Sequence, residues 1–129
     1  MTTDYTLKNL RDVEDMAVEG GFSDSQEARF ADKDLGLESL GVSHQVVKPG
    51  KHHAFGHRHH EAEEVYVVLS GAGKIHLEDE EVDVERLDAI RVGPEVTRGF
   101  EAGDDGLELI VFSEKAPGDA EIVEDFFSD

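Results

Sequence analysis

Five of the seven histidines fall between His52 and His60, in the stretch PGKHHAFGHRHHEAEEVYVVLSGAG that runs from Pro49 to Gly73. In an extended strand, side chains two residues apart point to the same face. His57 and His59 then project side by side, and Arg58 points the other way. A carboxylate follows at Glu63 or Glu64, beyond a predicted turn at His60-Glu61-Ala62. Two imidazoles and one carboxylate on adjacent strands form a facial triad suited to a divalent first-row metal with open positions. Iron, manganese, zinc, nickel and copper all accept such donors, so the donor set does not choose among them.

Strands have to carry these side chains, and the punctuation of the chain supplies them. Turn signals stand at Gly20-Gly21, Pro49-Gly50, Gly71-Ala72-Gly73, Glu78 to Glu81, Gly93-Pro94, Gly103 to Gly106 and Pro117-Gly118. Between them lie short segments rich in β-branched and aromatic residues: Val42 to Val47, Val65 to Leu69, Lys74 to Leu77, Val82 to Glu85, Asp88 to Val92 and Leu107 to Phe112. The run Val65 to Leu69 is the most apolar, which predicts a strand covered on both faces. Lys74 to Leu77 and Val82 to Glu85 flank an acidic turn and predict a hairpin. The last strands are expected to close through Gly103 to Gly106. Many short strands with Gly/Pro turns predict an all-β sandwich or barrel.

Taken with its spacing, the histidine stretch resembles the first motif of the cupin superfamily. That motif reads glycine, a short spacer, His-x-His, three or four residues, glutamate, six residues, glycine. Here the matching residues are Gly50, His57, His59, Glu64 and Gly71, with a spacer after Gly50 one residue longer than usual. The spacing selects Glu64 over Glu63, and Tyr66 and Val68 share its face. The resemblance runs from about Gly41 to Phe112. It implies a small antiparallel β-barrel of the double-stranded β-helix or jelly-roll type, with a pocket inside one end. It also implies that His57, His59 and Glu64 are the metal ligands.

The second cupin motif usually places a histidine after a proline to complete the site. In Val92 to Phe100 that place is held by Arg98. A guanidinium stays protonated and cannot ligate a metal. At about 5 Å from a dication, with an effective dielectric near 20, it is repelled by several kcal/mol, and it is attracted to Glu64 with half that magnitude. Two arrangements compete. In one, Arg98 pairs with Glu64 and the barrel is metal-free. In the other, His57, His59 and Glu64 hold a metal, and Arg98 turns to an anionic ligand such as a carboxylate.

Other residues take plainer readings. His52, His53 and His60 are expected at the rim or surface, His76 on a half-wet strand face, and Tyr66, Phe100 and Phe112 in the core. Ser70 before Gly71 is a turn residue rather than a nucleophile in an elbow. No glycine-rich phosphate loop with a lysine follows a strand. The turn Glu78 to Glu81 lacks the spaced ligands of a calcium loop.

Composition sets the outer limits. The chain has 129 residues, enough for one domain, and no cysteine, which excludes disulfides and thiolate chemistry. Its net charge of −19 disfavours nucleic acid and anionic membranes as partners. The same charge fits either ordinary acidic solubility or a salt-rich cytoplasm. A cytoplasmic location is expected, since no run is long enough to span a bilayer and the polar start is not a signal peptide. The expected organisation is an extension over 1–39, a barrel over 40–115 and a tail or short helix over 116–129. Tyr5 to Leu10 is read as a strand, and Ala28 to Leu40 as holding a helical turn after Ser23 or Ser25. In the tail, Ile122, Val123, Phe126 and Phe127 share one helical face, with Asp119 as N-cap and the two phenylalanines packed over the barrel. Sheet edges predict a homodimer.

Two functions from different classes follow. The first is a metal-assisted enzyme of oxygenase or isomerase type, acting on an anionic or carbonyl-containing small molecule. In it Arg98 orients the substrate and Tyr66 offers a hydroxyl. The second is a metal-free ligand-binding, stress or storage barrel with an Arg98–Glu64 ion pair.

Overall fold

The computed structural model describes residues 3–127. The chain forms one eight-stranded, wholly antiparallel sheet that curls on itself. After a 3-10 turn at Leu10–Asp12 come α1 (Met16–Gly20), β1 (Gln26–Phe30), α2 (Asp32–Leu35), β2 (Leu40–Val47), β3 (Gly56–His59), β4 (Glu64–Leu77), β5 (Glu80–Glu85), β6 (Ala89–Val92), β7 (Arg98–Glu114) and β8 (Ala120–Val123). This is the expected all-β barrel. No helix among the described residues is long and apolar enough to cross a membrane.

Two long strands organise the sheet. β7 pairs with β2, β3 and β4, and β4 pairs with β5, β6 and β7. Segments expected to turn at Gly71 to Gly73 and at Gly103 to Gly106 instead lie inside these strands, where the register shifts at bulges. A bulge lets a strand bend sharply without ending, so a glycine signal for a turn is satisfied inside one strand. Gly71 has φ +80°, and a Cβ there would stand 2.0 Å from the Gly106 carbonyl oxygen. Only a residue without a side chain permits the two strands to cross this closely.

The inward face carries the core, which includes Val47, Val68, Ile75, Phe100, Leu107 and Leu109, all at 2% exposure or less. Each such side chain contributes roughly 1.5–3 kcal/mol by leaving water. The β4 segment Glu64 to Val68 buries alternate residues (Glu64, Tyr66, Val68), while Val65 and Val67 are only half-buried. Against the expectation of two covered faces, only the inner face is fully buried here. Phe112 sits on that outer face of β7 and is 42% exposed, outside the core assigned to it from sequence.

The ends of the chain differ most from expectation. Tyr5 to Leu10 contains no strand. Gln26–Phe30 is a strand paired with β2 from Gln26↔Val47 to Phe30↔Ser43. The helical turn expected within Ala28 to Leu40 is α2, entered from Ala31 with no side-chain cap. The described part of the tail is not a helix. Ala120–Val123 adds to β3 as an edge strand from Gly56↔Val123 to His59↔Ala120. A four-residue helix has little stability of its own, whereas β3 offers a free edge. Beyond the strand, the two phenylalanines do pack over the barrel: Phe126 lies against Gly56 and Phe127 against Gly99.

Candidate metal and ligand site

Three strands and a loop meet at one end of the barrel. β3 delivers His57 and His59, β4 delivers Glu64 and Tyr66, and β7 begins at Arg98, in register with His57. The ligand atoms of His57, His59 and Glu64 lie within 4.8 Å of one another. The structure therefore brings together the three residues that the spacing selected. Arg58 points away and pairs with Glu121 on β8 at 3.1 Å.

Glu64 is 8% exposed, and its surroundings hold it ionised. Burial pushes its carboxyl up, but hydrogen bonding and charge from His57, the Tyr66 hydroxyl and the charge of His59 outweigh it and bring the group down to about 2. His57 Nε2 lies 3.1 Å from Oε1, and the Tyr66 hydroxyl donates to the same oxygen at 2.5 Å. Burial, then the Glu64 charge, pushes the Tyr66 hydroxyl well above its ordinary range, so it stays a donor.

His59 is set by a residue that the sequence reading placed in a helix cap. Asp119, just before β8, has Oδ2 3.2 Å from His59 Nδ1. The same carboxylate accepts the N–H groups of Glu61 and Ala62, at 3.1 and 3.0 Å. Hydrogen bonds from those backbone groups, the Ala62 one first, hold Asp119 below the usual carboxylate range. A carboxylate at Nδ1 requires a proton there, which leaves the Nε2 lone pair for the cavity side in the neutral ring. Nε2 is buried without a hydrogen-bond partner, although Glu64 Oε2 is only 3.2 Å away. A ring nitrogen and a carboxylate oxygen at that distance call for a cation between them, a proton or a metal ion. This orphaned nitrogen, with an ionised carboxylate and a second imidazole, fits a divalent ion.

Arg98 is fully buried behind the carboxylate rather than in the cavity. Its Nη2 donates to the Gly93 carbonyl at 2.7 Å, and Nη1 is 3.9 Å from Glu64 Oε1. Arg98 thus stands outside the cavity lining, beside Glu64 as a counter-charge. Turning it toward a ligand would cost the Gly93 bond. Neither Arg98 nor Tyr66 lines the cavity in front of the cluster.

That cavity measures about 320 Å³ and has His57, His59 and Glu64 at its floor. Its walls come largely from the extensions: Met16 and Phe22 at α1, Ala28 and Phe30 on β1, and Ile122 on β8. The alternation Gln26, Ala28, Phe30 is a period-two signal that marks this strand in the sequence. It is a short signal, overshadowed by a stronger helical reading of the residues after it. His53 also departs from expectation. It is a buried wall residue, not a rim residue, with its N–H donating to the Phe100 carbonyl at 2.9 Å. His52, by contrast, is half-buried and stacks on Phe127, and His60 is exposed.

His76 belongs to a second cluster, with Glu81 and Glu101. It lies on the outer face of β4, 2.8 Å from Glu101 and against the ring of Phe127.

A curled antiparallel barrel with a His-x-His strand and a facing carboxylate at one end defines a class of proteins by fold and motif. The chain belongs to the cupins: the cupin domain model matches residues 43–113. Among solved structures, a cupin protein from Bacteroides fragilis is 21% identical, with 91% of this chain and 88% of that one covered at a TM-score of 0.69. A variant of Streptomyces PAC13 with uridine is 19% identical, covering 96% and 92%, at 0.70. A sugar phosphate isomerase from Silicibacter pomeroyi is 22% identical, covering 73% and 62%, at 0.64. Among curated proteins none matches the chain.

Proposed function

We propose that this cupin is a metal-dependent enzyme of oxygenase or isomerase type. In this reading His57, His59 and Glu64 hold one divalent ion at the floor of the cavity, and the substrate is a small oxygen-bearing molecule, anionic or carbonyl-containing. The observation that carries the reading is the buried His59 Nε2, aimed at an ionised Glu64 with no hydrogen-bond partner. When bound, such an ion supplies Lewis acidity or activates oxygen. The chain's own residues do the rest. Asp119 fixes the His59 ring. Tyr66 and Arg98 keep Glu64 charged and still from behind. The apolar walls exclude water and orient the body of the substrate. A structure of the similarly folded Streptomyces PAC13 is one with uridine, which supports a small-molecule ligand for this chain.

One observation favours a second reading, a metal-free binding barrel. Glu64 already has His57, Tyr66 and Arg98 as partners. Elemental analysis of protein purified without nickel resin separates the two. The enzyme reading expects about one first-row metal per chain, lost in His57→Ala. Protein that stays metal-free after soaking with these ions supports the binding barrel. Arg98→His adds to the test: metal binding that appears only in this variant makes Arg98 the obstacle.

A further inference from the structure

Two side chains in the cavity wall have their acceptor atoms already taken by the backbone. His53 Nδ1 accepts the Phe100 N–H at 3.0 Å. Burial first, then His57 and His52, brings this ring down to about 3, so it is neutral. A neutral imidazole that accepts at Nδ1 carries its proton at Nε2. Gln26 is built in the same way. Its Oε1 accepts the Ala54 N–H at 2.7 Å, which fixes the orientation of the amide and leaves Nε2 as a donor. That bond also ties the Gln26 carboxamide to the residue following His53. Both residues line the cavity. Among the described residues neither donor nitrogen meets a protein acceptor, and neither is among the sealed, unpartnered nitrogens. Each donor nitrogen is therefore unsealed, on a residue that lines the cavity.

We propose that His53 Nε2–H and the Gln26 amide N–H form a donor subsite for a neutral carbonyl oxygen, so that the ligand is an uncharged ketone or amide with an apolar body. The assignment rests on this cavity being a small-molecule site, and does not depend on the metal. A carbonyl oxygen has two lone pairs and takes two donors. Both donors are held by backbone bonds, so little side-chain ordering is lost on binding. In the metal-free cavity charge argues against an anion: no lysine or arginine lines it, and Glu64 does. Phe22, Phe30, Phe55 and Ile122 supply the apolar surface for the body. The volume of about 320 Å³ suits a compact ligand.

The test uses full-length, metal-stripped protein and three probes followed by NMR titration. Acetophenone carries the carbonyl, α-methylstyrene replaces its oxygen by CH₂, and benzoate adds a charge. Acetophenone is expected to bind about tenfold more tightly than α-methylstyrene, the scale of one to two hydrogen bonds, and more tightly than benzoate. Gln26→Glu keeps an acceptor for Ala54 N–H and His53→Asp keeps one for Phe100 N–H, while an ionised carboxylate donates nothing. Each variant removes one donor and is expected to shrink the preference. Equal affinity for the two isosteres, tighter benzoate, no binding of any probe, or a preference unchanged in both variants overturns the assignment. Carbonyl preference in a protein that takes up no metal removes only the metal reading. Metal uptake without carbonyl preference removes only this one.

Discussion

Two clusters of one or two histidines with glutamate lie on the two faces of this sheet, and they differ in almost everything but donor type. In the inner one, Glu64 is nearly buried, Asp119 fixes the His59 ring, Arg98 backs the carboxylate, and a nitrogen is left unpaired. In the outer one, Glu81 and Glu101 side chains are 53% and 45% exposed, and Lys74 stands 3.8 Å from Glu81. His76 already has Glu101 as its partner. Exposed acids lose little by remaining in water. A buried carboxylate loses much when its partners go. Donor atoms within reach of one another are therefore not enough; desolvation and an unmet nitrogen distinguish the inner cluster.

The largest expected contrast is in stability. Glu64→Ala leaves the fully buried Arg98 without its counter-charge and is expected to cost about 3–5 kcal/mol in urea unfolding. Glu101→Ala is expected to stay within about 0.5 kcal/mol. Similar costs for both would erase the distinction.

Acidification sharpens it next. His53 is near 3 in the folded chain and at the ordinary 6.5 when unfolded. Between those values the unfolded chain binds the extra proton, so stability falls as pH falls through this window. From pH 6.5 to 5 the loss is expected to be about 2 kcal/mol. Glu64 adds a further loss only below its unfolded value of 4.5, down to about 2. His53→Asn is expected to flatten the upper part of the curve, and Glu101→Gln to leave it unchanged. Urea midpoints measured across this range decide it.

Positioning comes third. Asp119→Asn weakens the carboxylate partner of His59 and is expected to lower manganese affinity about 10–100-fold, the usual scale for a residue that orients a ligand. The smallest effect is expected at Arg58, whose ion pair with Glu121 is exposed. Arg58→Ala is expected to leave both the urea midpoint and metal affinity essentially unmoved.

How much of this was readable in the chain follows from the range of each interaction. The His57, His59 and Glu64 grouping rests on strand periodicity and short spacing, which are local, so the sequence displays it. Arg98 was placed in the right neighbourhood, but whether it faces the cavity or the rear depends on its bond to Gly93, a packing detail. Asp119 was assigned to a helix cap because a partner sixty residues away is invisible in local pattern. β1 and β8 were hidden for the same reason: short strands exist only because β2 and β3 offer edges. The glycines at 71 and 106 announced a break in direction, and a bulge within a strand gives the same signal as a turn.

The most direct test is an anomalous difference map from crystals soaked in manganese and measured near its absorption edge. The account predicts one peak per chain, coordinated by His57, His59 and Glu64, and none between His76, Glu81 and Glu101. A peak only at the outer cluster, or an inner cluster still holding the His57–Glu64 hydrogen bond with no ion at saturating manganese, would contradict it.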